Sequence, residues 1–255
     1  MTITTTRKKI EIAYPDDVEP LLQLRLGPCR MRFSPSDGPM WIDGTYDDPT
    51  GSLPIDVRAG AVATIAQTFD LPRWTGFELP LLDLAIGRDR PFALEINAGA
   101  SETAFDLGGL PIARLVIKAG AGRFDVDFSA PNPVSMSLID LGAGAGAFTA
   151  KRLANANFSS LRFGGGVAAC SLDFAGELRR DASAHVDAGF GSIDISVPIQ
   201  TPVVVRTKAF AAAQRATGLV EKGNGYYTLP GLEGKRPLLS IEVSVAFGSL
   251  AVTAG

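Results

Sequence analysis

The chain has 255 residues, 46% of them hydrophobic, and a formal net charge of -3. That length suits one large all-β domain or two ordinary ones, and the charge balance argues against a broad nucleic-acid surface, which needs clustered positive charge. Glycine is frequent at 28 while Trp is scarce at 2, a mix that suits a narrow core of small and aliphatic side chains.

The opening MTITTTRKKIEIAYPDD has no apolar run after its basic residues, so it does not read as a signal peptide. No later apolar run approaches the ~20 residues needed to cross a bilayer. A cytoplasmic protein without a transmembrane segment is expected. Residues 1–21 are read as an N-terminal cap, with IEIAY as an extra strand.

Residues 22–93 read as early, irregular rungs of a repeat. LQLRLGPCRMRF places Leu24 before Gly27, and Met31 and Phe33 after it. The stretch around Gly60 is a looser copy. LPRWTGFELPLLDLAIGRDRP is a longer excursion, whose Trp74 and Phe77 are expected to cover one flank of the core.

Residues 94–200 carry the regular repeats, and internal repetition outranks strand-by-strand reading. LEINAGASETAFDL, LVIKAGAGRFDVDF, SLIDLGAGAGAFTA, LRFGGGVAACSLDF and AHVDAGFGSIDISV share one grammar, in which an alternating strand enters a glycine corner and a second alternating strand leaves it. With Gly99, Gly120, Gly142, Gly166 and Gly189 as anchors, the steps are 21, 22, 24 and 23 residues. Ile96, Ile117 and Ile139 then stand three residues before an anchor, in one apolar column. Apolar residues alternate with polar or small ones, the period of half-buried strands. Inward parity changes across Gly120, which a glycine bend accomplishes. Isolated antiparallel hairpins are the alternative, but the near-constant step favours rungs laid one upon another. APNP (130–133) is a wide turn.

Residues 201–255 are read as a connection and the final rung. KAFAAAQRATG (208–218) is the one helix candidate, and IEVSVAFGSLAV repeats the rung pattern. The expected architecture is all-β: a parallel β-solenoid of about seven rungs in a single domain over 1–255, with glycine corners and few or no helices.

Chemistry-bearing residues are sparse. His185 is the only histidine, and by parity it faces solvent, so neither a Ser–His–Asp triad nor a zinc site can be assembled. Cys29 and Cys170 sit in apolar alternation and read as buried thiols. Gly142, Gly144 and Gly146 resemble a phosphate loop only in composition, since no Gly-Lys-Ser/Thr follows. Asp106, Asp127 and Asp173 share an outward column, and Asp125 and Asp194 another, the arrangement a carbohydrate-active β-helix enzyme would use. Arg25, Arg30 and Arg32 form an outward basic strip, read as edge protection or as a docking surface for an acidic partner or anionic headgroups. No catalytic, cofactor or metal residue is assigned, and neither a cofactor nor nucleic acid is expected.

The ordered motifs LRLGPCRMRF (24–33), WIDGTYDDP (41–49), IDVRAGAVATIAQ (55–67), PLLDLAIGRDRPFALEINAGA (80–100), KAGAGRFDVDF (118–128), GLVEKGNGYYTLPG (218–231) and IEVSVAFGSLAV (241–252) together resemble the toast-rack domains of LiaF-like, cell-wall-active-antibiotic response proteins and related adhesin-like domains. The resemblance implies a β-solenoid without catalytic residues, acting as a scaffold or regulator in envelope-stress sensing through an unidentified protein partner. LiaF-like proteins carry membrane helices before this domain, and this chain shows none. A self-assembling, adhesin-like structural protein is the second expectation, and the carbohydrate-active enzyme the third.

Overall fold

The structure, a computed structural model, describes residues 6–16, 19–68 and 78–255. Trp74 and Phe77 lie outside them. Sixteen strands follow in chain order: β1 (Thr6–Ile12), β2 (Leu21–Leu26), β3 (Cys29–Ser36), β4 (Ile42–Asp48), β5 (Ile55–Arg58), β6 (Val62–Gln67), β7 (Leu81–Gly87), β8 (Phe92–Asp106), β9 (Ile112–Asp127), β10 (Met136–Lys151), β11 (Phe158–Asp173), β12 (Ala182–Val197), β13 (Val203–Thr217), β14 (Val220–Gly223), β15 (Tyr226–Thr228) and β16 (Leu239–Ala254).

Seven of these strands are 15 or 16 residues long, and each bends once at a corner into two arms. They stack in parallel in the order β8-β9-β10-β11-β12-β16-β13. Parallel neighbours in register, rather than hairpins, therefore form the repeat. At the N-terminal end the arms separate. β2 pairs with the first arm of β8 and is followed outward by β6 and β5. β3 pairs with the second arm and is followed by β7, β4 and β1. The looser copy around Gly60 is an antiparallel hairpin of β5 and β6, not a rung.

The arms of each rung turn their apolar faces toward one another. Phe148 on a second arm meets Phe163 on a first arm, their ring centroids 5.6 Å apart and edge-on. Along the stack, like positions pile up: Phe33 on Phe105 at 4.1 Å, and Phe124 on Phe148 at 6.2 Å. A single rung has no opposite wall above or below it, so the apolar columns become dry only by stacking.

The corner is where glycine is required. Gly122 and Gly146 have φ of 126° and 125°, a region a Cβ-bearing residue rarely adopts. A Cβ on Gly146 would lie 2.0 Å from the Gly122 carbonyl oxygen. The bend exchanges inner and outer parity: Ile117 and Phe124, seven residues apart, are both buried.

Three sequence expectations change. The third anchor is Gly144, not Gly142, because Gly142 lies opposite Lys118 and Gly164. Ile117 therefore sits between Ile96 and Leu141, while Ile139 lies beside Leu115. The slip is two residues, one full strand period, so each side chain keeps its face and Ile139 remains fully buried. Second, 208–217 is not helical but belongs to β13, because pairing along β16 outweighs the weak helical preference of an alanine run. Third, β16 is last in sequence but not in the stack: it lies between β12 and β13.

The turns joining one rung to the next hold a ladder of buried asparagines. Asn132 donates to the carbonyls of Ile112 (2.8 Å) and Ala156 (3.2 Å), Asn155 to Phe128 (3.0 Å), and Asn157 to Val134 (2.9 Å). These side chains replace the strand ladder where the backbone turns and would otherwise leave carbonyls unpaired.

Candidate interaction surface

Three of the acids that sequence reading weighed for chemistry are engaged by neighbouring groups. Asp106 accepts from the Gly108 amide (2.9 Å) and the Ser129 hydroxyl. Asp173 accepts from the Ala175 amide (3.0 Å), the Ser196 hydroxyl (3.1 Å) and the Arg152 amide (3.3 Å). Asp127 pairs with Arg152. Asp106 and Asp173 each close a turn at the end of a second arm. Asp125 and Asp194 share an outward column but are separated by Thr149 and Ser171. Among the described residues no three potential metal ligands gather. His185 faces outward, 3.2 Å from Glu242.

Arg25, Arg30 and Arg32 do not form an edge. β2 lies between β6 and β8, and β3 between β7 and β8. The bend at Gly27 sets Arg25 on the first arm and the other two on the second, where Arg30 is opposite Glu102. Edge protection is therefore not their role. Gly142, Gly144 and Gly146 form a corner, with strand continuing on both sides.

Both cysteines are free and buried. Burial disfavours the thiolate and pushes Cys29 up to about 12 and Cys170 higher still. At pH 8 Cys29 is then held as the neutral thiol. Ellman's reagent is expected to leave both thiols of the folded protein unreacted at pH 8 and to titrate both in denaturant; rapid native reaction of either would contradict the packing. The sign for stability follows. The unfolded thiols ionise first, so their contribution is complete below the ordinary thiol value and declines as pH rises toward 12.

Three exposed phenylalanines form an aromatic ladder on the corner near the β13 end. Phe210 is 87% exposed, Phe190 54% and Phe247 42%. Phe190 stacks on Phe247 at 4.9 Å, and Phe210 meets Phe247 edge-on at 6.1 Å. Phe190 and Phe247 occupy the corner column that holds Ala100, Ala121, Ala145 and Val167 in earlier rungs. A shallow groove floored by Gly164, Gly166 and Gly189 runs beside the ladder, with Asp187, Lys208 and Ser244 on it. Sequence reading passed over this ladder because the corner resets parity, and because Phe210 fell in the supposed helix. The available signal was a large ring beside a corner glycine, in GFG (189–191) and AFG (246–248), where other rungs carry alanine or valine.

Two-armed strands stacked in parallel around a shared glycine corner define a toast-rack protein. The chain belongs to the family described as the N-terminal domain of toast_rack, DUF2154, which matches residues 4–149. Among solved structures it is similar to a candidate cell adhesion protein from Clostridium sporogenes, with 13% identity, 99% of each chain covered and a TM-score of 0.52. A candidate adhesin from Bacteroides fragilis matches with 8% identity over 98% of each chain, at a TM-score of 0.42. No curated protein sequence matches.

Proposed function

We propose that this protein is a non-catalytic interaction module, a rigid rack that acts by contact. One observation carries this reading: three phenylalanines stay in water, two stacked and the third edge-on, on a corner whose equivalent positions in the other rungs hold only Gly, Ala or Val. Exposed apolar patches of this kind mark contact surfaces, and aromatic anchors dominate binding energy. Placement in a cell-envelope stress response is the finer part of the proposal and rests on the resemblance of the ordered motifs. The assignment of the Clostridium protein to cell adhesion is consistent with a module that works by contact.

The test is affinity capture from the native cells with the intact chain and with the triple variant Phe190→Ser, Phe210→Ser, Phe247→Ser as baits. A protein retained by the first and lost from the second, with equal melting temperatures of the baits, supports the reading. Identical capture overturns it. Polysaccharide cleavage that disappears in Asp125→Asn would overturn the non-catalytic assignment.

A further inference from the structure

We propose that the open edge of β13, from Lys208 to Thr217, receives an extended acidic strand of a partner protein as one more rung. The inference rests on the contact reading above and names the chemistry of the partner.

Beyond β13 the small hairpin of β14 and β15 pairs only with Val204–Arg206, extended by a bond from the Thr207 amide to Gly225. No described strand lies beyond 208–217. That edge offers unpaired amides and carbonyls beside Phe210, the most exposed of the ladder rings. Free edges of this length are templates for strand addition.

The far end of the second-arm sheet is different. It ends in β1, a short edge strand whose sequence TRKKIEI sets charges around buried Ile10 and Ile12, the pattern that guards an edge. The core itself is closed at the β13 end by polar residues. The inward columns that hold Val243 and Leu250 in β16 end in Thr207 and Gln214, which hydrogen-bond at 2.8 Å. A polar terminal rung suits a boundary rather than another apolar layer stacked end to end.

Charge then selects the occupant. β13 carries Arg206, Lys208 and Arg215 and no acid. Arg206 lies near Glu242, whereas Lys208 and Arg215 have no ion-pair partner among the described residues. A second copy would bring the same cations to the edge. Two rungs inward, Asp187 stands in the column of Lys208 and Asp194 in that of Arg215, with Ser244 and Ala251 between. Those acids are about 10 Å from the cations, two strand spacings. An added strand with acids in the same two columns would place each about 5 Å away. β12 itself has the required pattern: as the next rung, its sequence would set Asp187 beside Lys208, Asp194 beside Arg215 and the Phe190 ring at the corner, next to Phe210.

The probe is therefore a fluorescent peptide with the sequence of residues 182–197, added to the full chain. Anisotropy should report saturable binding, and hydrogen exchange should show new protection confined to 208–217. The variant Lys208→Glu/Arg215→Glu should weaken binding about tenfold, as two exposed ion pairs allow. A peptide with both aspartates replaced by lysine should restore binding to that variant. Absence of protection at 208–217, or equal binding of both peptides to both proteins, overturns the proposal. Concentration-dependent dimerisation of the chain alone with the same protection also overturns it and identifies a second copy as the occupant. If phenylalanine-dependent capture persists while the edge stays unprotected, the contact reading stands and only the strand-addition inference fails.

Discussion

Replacing Gly146 by valine is expected to abolish cooperative folding of the rack. The added Cβ would lie 2.0 Å from the Gly122 carbonyl oxygen and 2.9 Å from its nitrogen. Both obstacles are backbone, so no side chain can move aside. The φ of 125° is closed to a β-branched residue. Relief requires β10 to move away from β9, which breaks the ladder at the centre of the stack. A cost above ~4 kcal/mol follows from clash and strain together, a large part of the 5–15 kcal/mol that holds a typical domain folded. Circular-dichroism melting and size exclusion would show loss of the transition or aggregation. Gly164→Ala is the control: nothing lies within 4 Å of its added methyl group, and reduced freedom of the unfolded chain should leave stability unchanged or raise it by up to about 1 kcal/mol. If Gly146→Val melts like the parent, the bend is not where the corner is held.

Ile117→Asp should have an effect of similar size through a different cause. Ile117 is fully buried, with Ile96 on one side and Leu141 on the other. The change removes about 1.5–3 kcal/mol of apolar burial and leaves a carboxylate without a partner in a dry column, which costs several kcal/mol more. The middle rungs should unfold. Ile117→Val, which keeps the column apolar, should cost only about 0.5–1.5 kcal/mol. Urea titration of both variants checks the pair, and a parental midpoint for the aspartate variant would contradict the stacking.

Much of the stack was legible because each rung repeats the same alternation about one corner, so Ile96, Ile117, Phe163 and Val186 announce their own register. The third rung was misplaced because Gly142, Gly144 and Gly146 offer the anchor three equivalent positions, and burial tolerates a two-residue slip. β13 was hidden by its alanines, which lack the β-branched signature of strands. The insertion of β16 between β12 and β13 was not legible at all, since parallel neighbours in a stack need not be neighbours in the chain. The aromatic ladder escaped for a local reason: Phe190 and Phe247 follow the corner, where alternation restarts, and resemble core residues until the bend is known. The buried asparagines carry no sequence signal beyond their setting in turns, because their value lies in carbonyls contributed by other rungs.

The placement of β16 has a consequence for biosynthesis. β13 leaves the ribosome before β16, yet among the described strands its only long neighbour is β16. A nascent chain that has reached residue 217 has nothing native for β13 to lie against except the exposed flank of β12, which is reserved for another strand. Completion must wait for residues 239–254, and the last-made segment wedges into place between two older ones. Premature termination after residue 238 would thus remove two layers rather than one and would uncover β12, an apolar flank prone to aggregation.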